Sequence, residues 1–117
     1  MSNLRIYHNP RCSKSRQTLQ IIEQQGLQPE IIEYLKTPPS QKDISEILAL
    51  LDFDSARQLM RKNEDEYKQL SLSALDLSEE ELIAALCQSP KLIERPIVVN
   101  GDKAIIGRPP ENVLNIL

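Results

Sequence analysis

The stretch Leu4-Arg5-Ile6-Tyr7-His8-Asn9-Pro10-Arg11-Cys12-Ser13-Lys14-Ser15-Arg16 decides how the rest of the chain is read. Its first four residues alternate apolar and polar, the period of a short β-strand. His8-Asn9-Pro10 stops that strand, because proline has no N–H to give to a central ladder. From about Ser13 to Gln25, Leu19, Ile22 and Glu23 recur at helical spacing, and Gly26 predicts the C′ stop. Glu30-Ile31-Ile32-Glu33-Tyr34-Leu35 predicts a second strand. Strand, loop, helix, strand is a βαβ unit whose two strands are most simply parallel. Cys12 stands in its loop, at the helix start.

The middle of the chain is helical. Ser40 with Asp43 predicts an N-terminal cap, followed by an apolar stripe of Ile44, Ile47, Leu48 and Leu51. A short helix is expected over Ala56 to Lys62, with Leu59 and Met60 inward. Ser78 with Glu81 opens another, carrying Leu82, Ile83, Leu86 and Cys87 and ending before Pro90. Ile97-Val98-Val99 is β-branched and apolar, Asn100-Gly101 is a strong hairpin signal, and Ala104-Ile105-Ile106 returns as the antiparallel partner. Pro109-Pro110-Glu111 predicts a terminal helix with Val113, Leu114 and Leu117 on one face. The order βαβ, helical insertion at about 40–92, then ββα describes one α/β domain over residues 1–117.

Composition bounds the function. The 117 residues are the size of one core, and 40% hydrophobic with 26% charged residues is ordinary for a globular protein. A formal net charge of −3 argues against nucleic-acid binding, which needs a basic footprint. Yet Arg5, Arg11, Lys14 and Arg16 gather about Cys12, while acids collect at Glu64-Asp65-Glu66 and Glu79-Glu80-Glu81. A basic mouth on an acidic chain suits a small anion. No apolar run approaches the roughly 20 residues that span a bilayer, and Met1-Ser2-Asn3-Leu4-Arg5 carries no apolar signal region. A cytoplasmic protein is expected, without membrane partner. Two cysteines and one histidine, His8, give neither a disulfide framework nor a zinc set, so no metal is expected.

An ordinary cysteine is only about 3% thiolate at pH 7. A helix N-terminus with nearby cations brings such a pKa down to roughly 3.5–7.5. Arg11, Lys14 and Arg16 are the cations expected here, with His8 as a further candidate. The alternative, a buried structural cysteine, fits poorly with the polar neighbours of Cys12, whereas Cys87 among Leu82, Ile83, Ala85 and Leu86 reads as packing. A dithiol motif would place cysteine where Ser15 stands, although Ser15 could hydrogen-bond the thiolate. A cysteine phosphatase loop would place arginine where Thr18 stands. Arg95 and Arg108 each precede a proline, at the entry and exit of the predicted hairpin, so antiparallel pairing brings them to one end. Planar guanidinium groups suit tetrahedral oxyanions.

Four segments in order now carry a resemblance: Tyr7 to Arg16, then Leu59-Met60-Arg61-Lys62-Asn63 with Tyr67, then Arg95-Pro96-Ile97-Val98-Val99, and Ile106-Gly107-Arg108-Pro109. The chain resembles the glutaredoxin-coupled arsenate reductase family from near residue 3 to its end. The resemblance implies a thioredoxin-like mixed sheet with a helical insertion and a cis bond at Arg95-Pro96. It implies that Cys12 attacks arsenate, that Arg61, Arg95 and Arg108 hold the oxyanion, and that His8 and Ser15 keep Cys12 ionised. Glutathione would be a co-substrate rather than a bound cofactor, and glutaredoxin the partner delivering a second thiol. Where the family commonly has Gly-Thr after the cysteine, this chain has Ser13-Lys14, which adds a positive donor at the mouth. Two other readings share the superfamily: a glutathione-dependent monothiol reductase of another substrate, and an Spx-like regulator that binds RNA polymerase. Many such regulators carry a second cysteine where this chain has Ser15.

Overall fold

The computed structural model describes residues 3–74 and 76–117; Met1 and Ser2, part of the export reading, lie outside them. In chain order the elements are β1 (Leu4–His8), α1 (Ser13–Gln24), β2 (Glu30–Glu33), α2 (Gln41–Leu50), a 3₁₀ turn at Ala56–Leu59, α3 (Asp65–Gln69), α4 (Glu79–Gln88), a 3₁₀ turn at Pro90–Leu92, β3 (Ile97–Asn100), β4 (Lys103–Ile106) and a 3₁₀ segment at Pro110–Asn115. They form two compact units. One holds the residues up to Thr37 together with Arg95–Leu117, the other Pro38–Glu94. None of the described helices is long and apolar enough to cross a membrane.

The first unit is a four-stranded mixed sheet of order β2-β1-β3-β4, the expected thioredoxin-like arrangement. β1 pairs in parallel with β2, His8 opposite Glu33, and antiparallel with β3, Tyr7 opposite Ile97. Alternation along the strands puts Leu4, Ile6 and Val98 on one face, where Ile22 of α1 and Val113 of the terminal segment close over them. Ile22 is fully buried, a position where truncation to alanine costs about 2–5 kcal/mol. Gly26, at φ +77°, ends α1 as expected.

Three local readings in this unit are corrected. β2 stops at Glu33 rather than Leu35, because the Glu33 carbonyl accepts from the N–H groups of Lys36 and Thr37 and so closes a turn. In the hairpin Asn100 is already paired with Lys103, so the loop is Gly101-Asp102, with glycine at φ +63° as first central residue. The terminal segment is 3₁₀, not α. Its three-residue repeat turns Pro110 and Val113 inward and leaves Leu114 48% exposed.

The second unit owes its helix starts to side chains. Ser40 with Asp43 and Ser78 with Glu81 form reciprocal capping boxes at α2 and α4. α2 and α4 pack together and bury Ile44, Ile47, Leu48, Leu82 and Leu86. The expected helix over Ala56 to Lys62 is a single 3₁₀ turn, because Met60 leaves it to form an antiparallel bridge with Ile93. That bridge is framed by the Arg61 N–H on the Leu92 carbonyl and the Glu94 N–H on the Leu59 carbonyl, both at 2.7 Å. Leu59 and Met60 are buried, as read from the sequence. α3 buries no side chain, so no apolar stripe announced it.

Candidate active site

Cys12 is the N-cap of α1, and the residues before it build the turn that puts it there. The Cys12 N–H donates to the Asn9 carbonyl at 3.0 Å, with Pro10 inside the turn. Proline presets φ for that position, and asparagine favours the first. The Asn9 side-chain oxygen accepts the Arg11 N–H at 3.0 Å, and the Asn9 N–H donates to Ser15 Oγ, also at 3.0 Å. The Cys12 carbonyl accepts the Arg16 N–H as the first helical bond. α2 and α4 fill their N-termini with a serine and an acid, whereas α1 has no acidic residue in its first turn and no side-chain capping bond. Its unpaired N–H groups face the sulfur instead.

Cys12 is half-buried, and burial alone pushes its thiol up. Against that act the Ser15 N–H, the charge of Arg95, the Lys14 N–H and a hydrogen bond from the Arg95 guanidinium, and the net pKa lies below the ordinary thiol value. The leading cation is therefore Arg95, which sequence proximity did not indicate, rather than Arg11, Lys14 or Arg16. Arg16 instead donates to the Pro10 carbonyl at 3.0 Å. Cys87 is the reverse case: burial and then the Asp43 charge raise its pKa, so it is a poor nucleophile.

His8 is buried at the end of β1. Burial lowers its pKa, Glu33 opposes that, and Arg16 adds to it, leaving the imidazole easier to deprotonate than usual. His8 is thus neutral near pH 7, and the expectation that it contributes a positive charge is corrected. Its Nδ1 lies 2.7 Å from Ser15 Oγ. The same Oγ accepts the Asn9 N–H, so one hydroxyl ties both His8 and Asn9 to the first turn of α1. The Ser15 hydroxyl therefore braces the loop to β1, while it is the Ser15 N–H that acts on Cys12.

The brace has a pH signature. A buried histidine with a depressed pKa binds fewer protons folded than unfolded, so its contribution is intact above about pH 6.5 and is lost as pH falls toward the folded value. Urea unfolding between about pH 7.5 and 5.5 is expected to show that loss in the wild type and a shallower one in His8→Asn. Equal slopes would refute the neutral, buried His8.

Arg95 and Arg108 meet at the open end of the β3–β4 hairpin, as the pairing required. Arg108 Nε donates to the Arg95 carbonyl at 2.9 Å, and both Arg95-Pro96 and Arg108-Pro109 are cis. Between them Gly107 leaves no room for a side chain. A Cβ there would sit 2.5 Å from Thr18 Oγ1 and 2.9 Å from Pro96 Cγ. Gly107→Ala is expected to cost about 1–3 kcal/mol in urea unfolding; an unchanged midpoint would show that α1 and the hairpin are not packed so closely. Arg61 belongs to the second unit, where it pairs with Glu64 at 2.7 Å.

Sequence reasoning missed Glu33, whose charge acts on His8, and Asn9, which holds both ends of the Cys12 turn. Asn9-Pro10 carried a turn signal that could have found the second. Nothing local points to Glu33, which faces His8 only through the β1–β2 register.

Comparison with known proteins adds to this geometry. The ArsC family profile matches residues 7–116. The arsenate reductase of Haemophilus influenzae is 54% identical over 112 residues, 96% of this chain and 97% of that one. Uncharacterized protein YfgD of Escherichia coli is 54% identical over 114 residues, 97% of this chain and 96% of its own length. A solved structure of an arsenate reductase from Vibrio cholerae has 49% identity and a TM-score of 0.95, covering 97% of each chain.

Proposed function

The chain belongs to the ArsC family, and on that premise we propose that it is an oxidoreductase that reduces arsenate to arsenite through Cys12, with glutathione and glutaredoxin as thiol donors. The observation that carries the reading is a cysteine with a depressed pKa at a helix N-terminus, stabilised by an arginine from the hairpin. Arsenate is an anion near neutral pH, so an approaching thiolate meets like-charge repulsion. Guanidinium groups offset it and stabilise the charge that builds on oxygen as sulfur bonds to arsenic.

Cys12 Sγ attacks arsenic, and one oxygen leaves as hydroxide, taking a proton to become water. Arsenic(V) must then gain two electrons. Glutathione attacks the adduct and glutaredoxin supplies a second thiol. The two external sulfurs leave joined as a disulfide, arsenite departs, and Cys12 regains its proton. The thiols come from outside because Ser15 stands where a second cysteine of the loop would be. Arg95 and Arg108 hold the oxyanion with Arg61, whose role rests on its matching segment of sequence. His8 and Ser15 position the turn. A supply of reduced glutathione suits the cytoplasm.

Purified protein given arsenate, glutathione and glutaredoxin is expected to release arsenite. No turnover above background from folded protein would defeat the reading.

A further inference from the structure

β1 lies between β2 and β3, so the Cys12 loop at its end has two flanks. Arg95 approaches from the β3 side. On the β2 side is a cleft of about 250 Å³ whose lining includes His8, Pro10, Arg11, Glu33, Leu35 and Lys36. We propose that this cleft seats the small thiol co-substrate: a peptide thiol carrying two carboxylates and one ammonium. The proposal rests on the arsenate-reductase reading, which creates the need for an external thiol.

The lining matches that chemistry better than it matches an oxyanion. Arg11 and Lys36 offer two cations for carboxylates, while Glu33 would repel arsenate but pair with an ammonium. Glu33 and Lys36 now hold each other at 3.6 Å, in an exposed pair that costs little to open. Leu35, 41% exposed, and Pro10 give methylene groups something to cover. The volume is at the low end of ligand clefts and suits a tripeptide, not a folded protein. Location completes the match. Arg11 immediately precedes Cys12, and His8 is tied through Ser15 to the first turn of α1. A thiol seated here reaches the Cys12 loop from the flank opposite Arg95, so oxyanion and reductant need not compete for one place.

The test uses S-methylglutathione, which has the charges of glutathione but cannot react. Titration into ¹⁵N-labelled protein is expected to give saturable amide shifts at Arg11, Glu33, Leu35 and Lys36. Lys36→Glu, at a well-exposed position, is expected to weaken binding by roughly three- to tenfold. In the coupled assay the same variant should raise KM for glutathione and leave KM for arsenate unchanged. Shifts elsewhere, or binding indifferent to Lys36→Glu, would overturn the proposal even if wild-type protein reduces arsenate. Binding at these residues without any arsenate turnover would instead uphold the cleft and refute the reductase reading.

Discussion

Cys12→Ser is expected to stop arsenate reduction, lowering turnover by roughly 10³-fold or more. A serine hydroxyl stays protonated at neutral pH even where N–H groups and Arg95 hold a thiolate. Folding should not suffer. Serine is a good N-cap, and its hydroxyl oxygen would readily accept from the N–H groups of Lys14 and Ser15 that act on the sulfur. The variant should therefore be as stable as the wild type in urea, or slightly more so, while inactive. That pairing separates chemistry from structure. Retention of more than about a tenth of the turnover, or loss through Cys87→Ser instead, would remove Cys12 from its role.

Arg95→Ala is expected to have the second largest effect, on two readouts at once. Removing a group that lowers the Cys12 pKa moves the iodoacetamide alkylation midpoint upward, from its depressed position in the wild type toward that of an ordinary thiol. The reactive form is the thiolate, so reactivity at neutral pH falls as the midpoint rises. Loss of one charged donor to the developing oxyanion costs a further 10²–10³-fold or so in kcat/KM for arsenate. Arg95→Lys distinguishes the two. It keeps the charge and loses the planar fork, so the midpoint should largely recover while kcat/KM recovers only in part. If Arg95→Ala leaves the midpoint where it was, the hairpin arginine is not what activates the thiol.

Much of the fold was readable because its signals are local. The alternation at Leu4–Tyr7, Gly26 after the α1 stripe, and the Ser40/Asp43 and Ser78/Glu81 pairs each involve neighbours in sequence, and each appears where expected. Failures occurred where distant groups compete. Met60 leaves its helical turn for Ile93, 33 residues on, and α3 buries nothing that periodicity could reveal. The site divides in the same way. Cys12 at a helix start and the Arg95–Arg108 juxtaposition follow from element order and antiparallel pairing. The identity of the activating cation does not.

By itself, then, the sequence determined the four strands, the long helices α1, α2 and α4, the thiol and its place at a helix start, since capping, turn chemistry and hydrophobic period act over a few residues. Tertiary structure decided which charges surround that thiol: Arg95 over Arg11, Lys14 and Arg16, and Glu33 opposite a neutral His8. Electrostatic effects follow distance through space and loss of water, and strand register sets both. Side chains adjacent in the chain can point apart, while residues far along it are brought face to face.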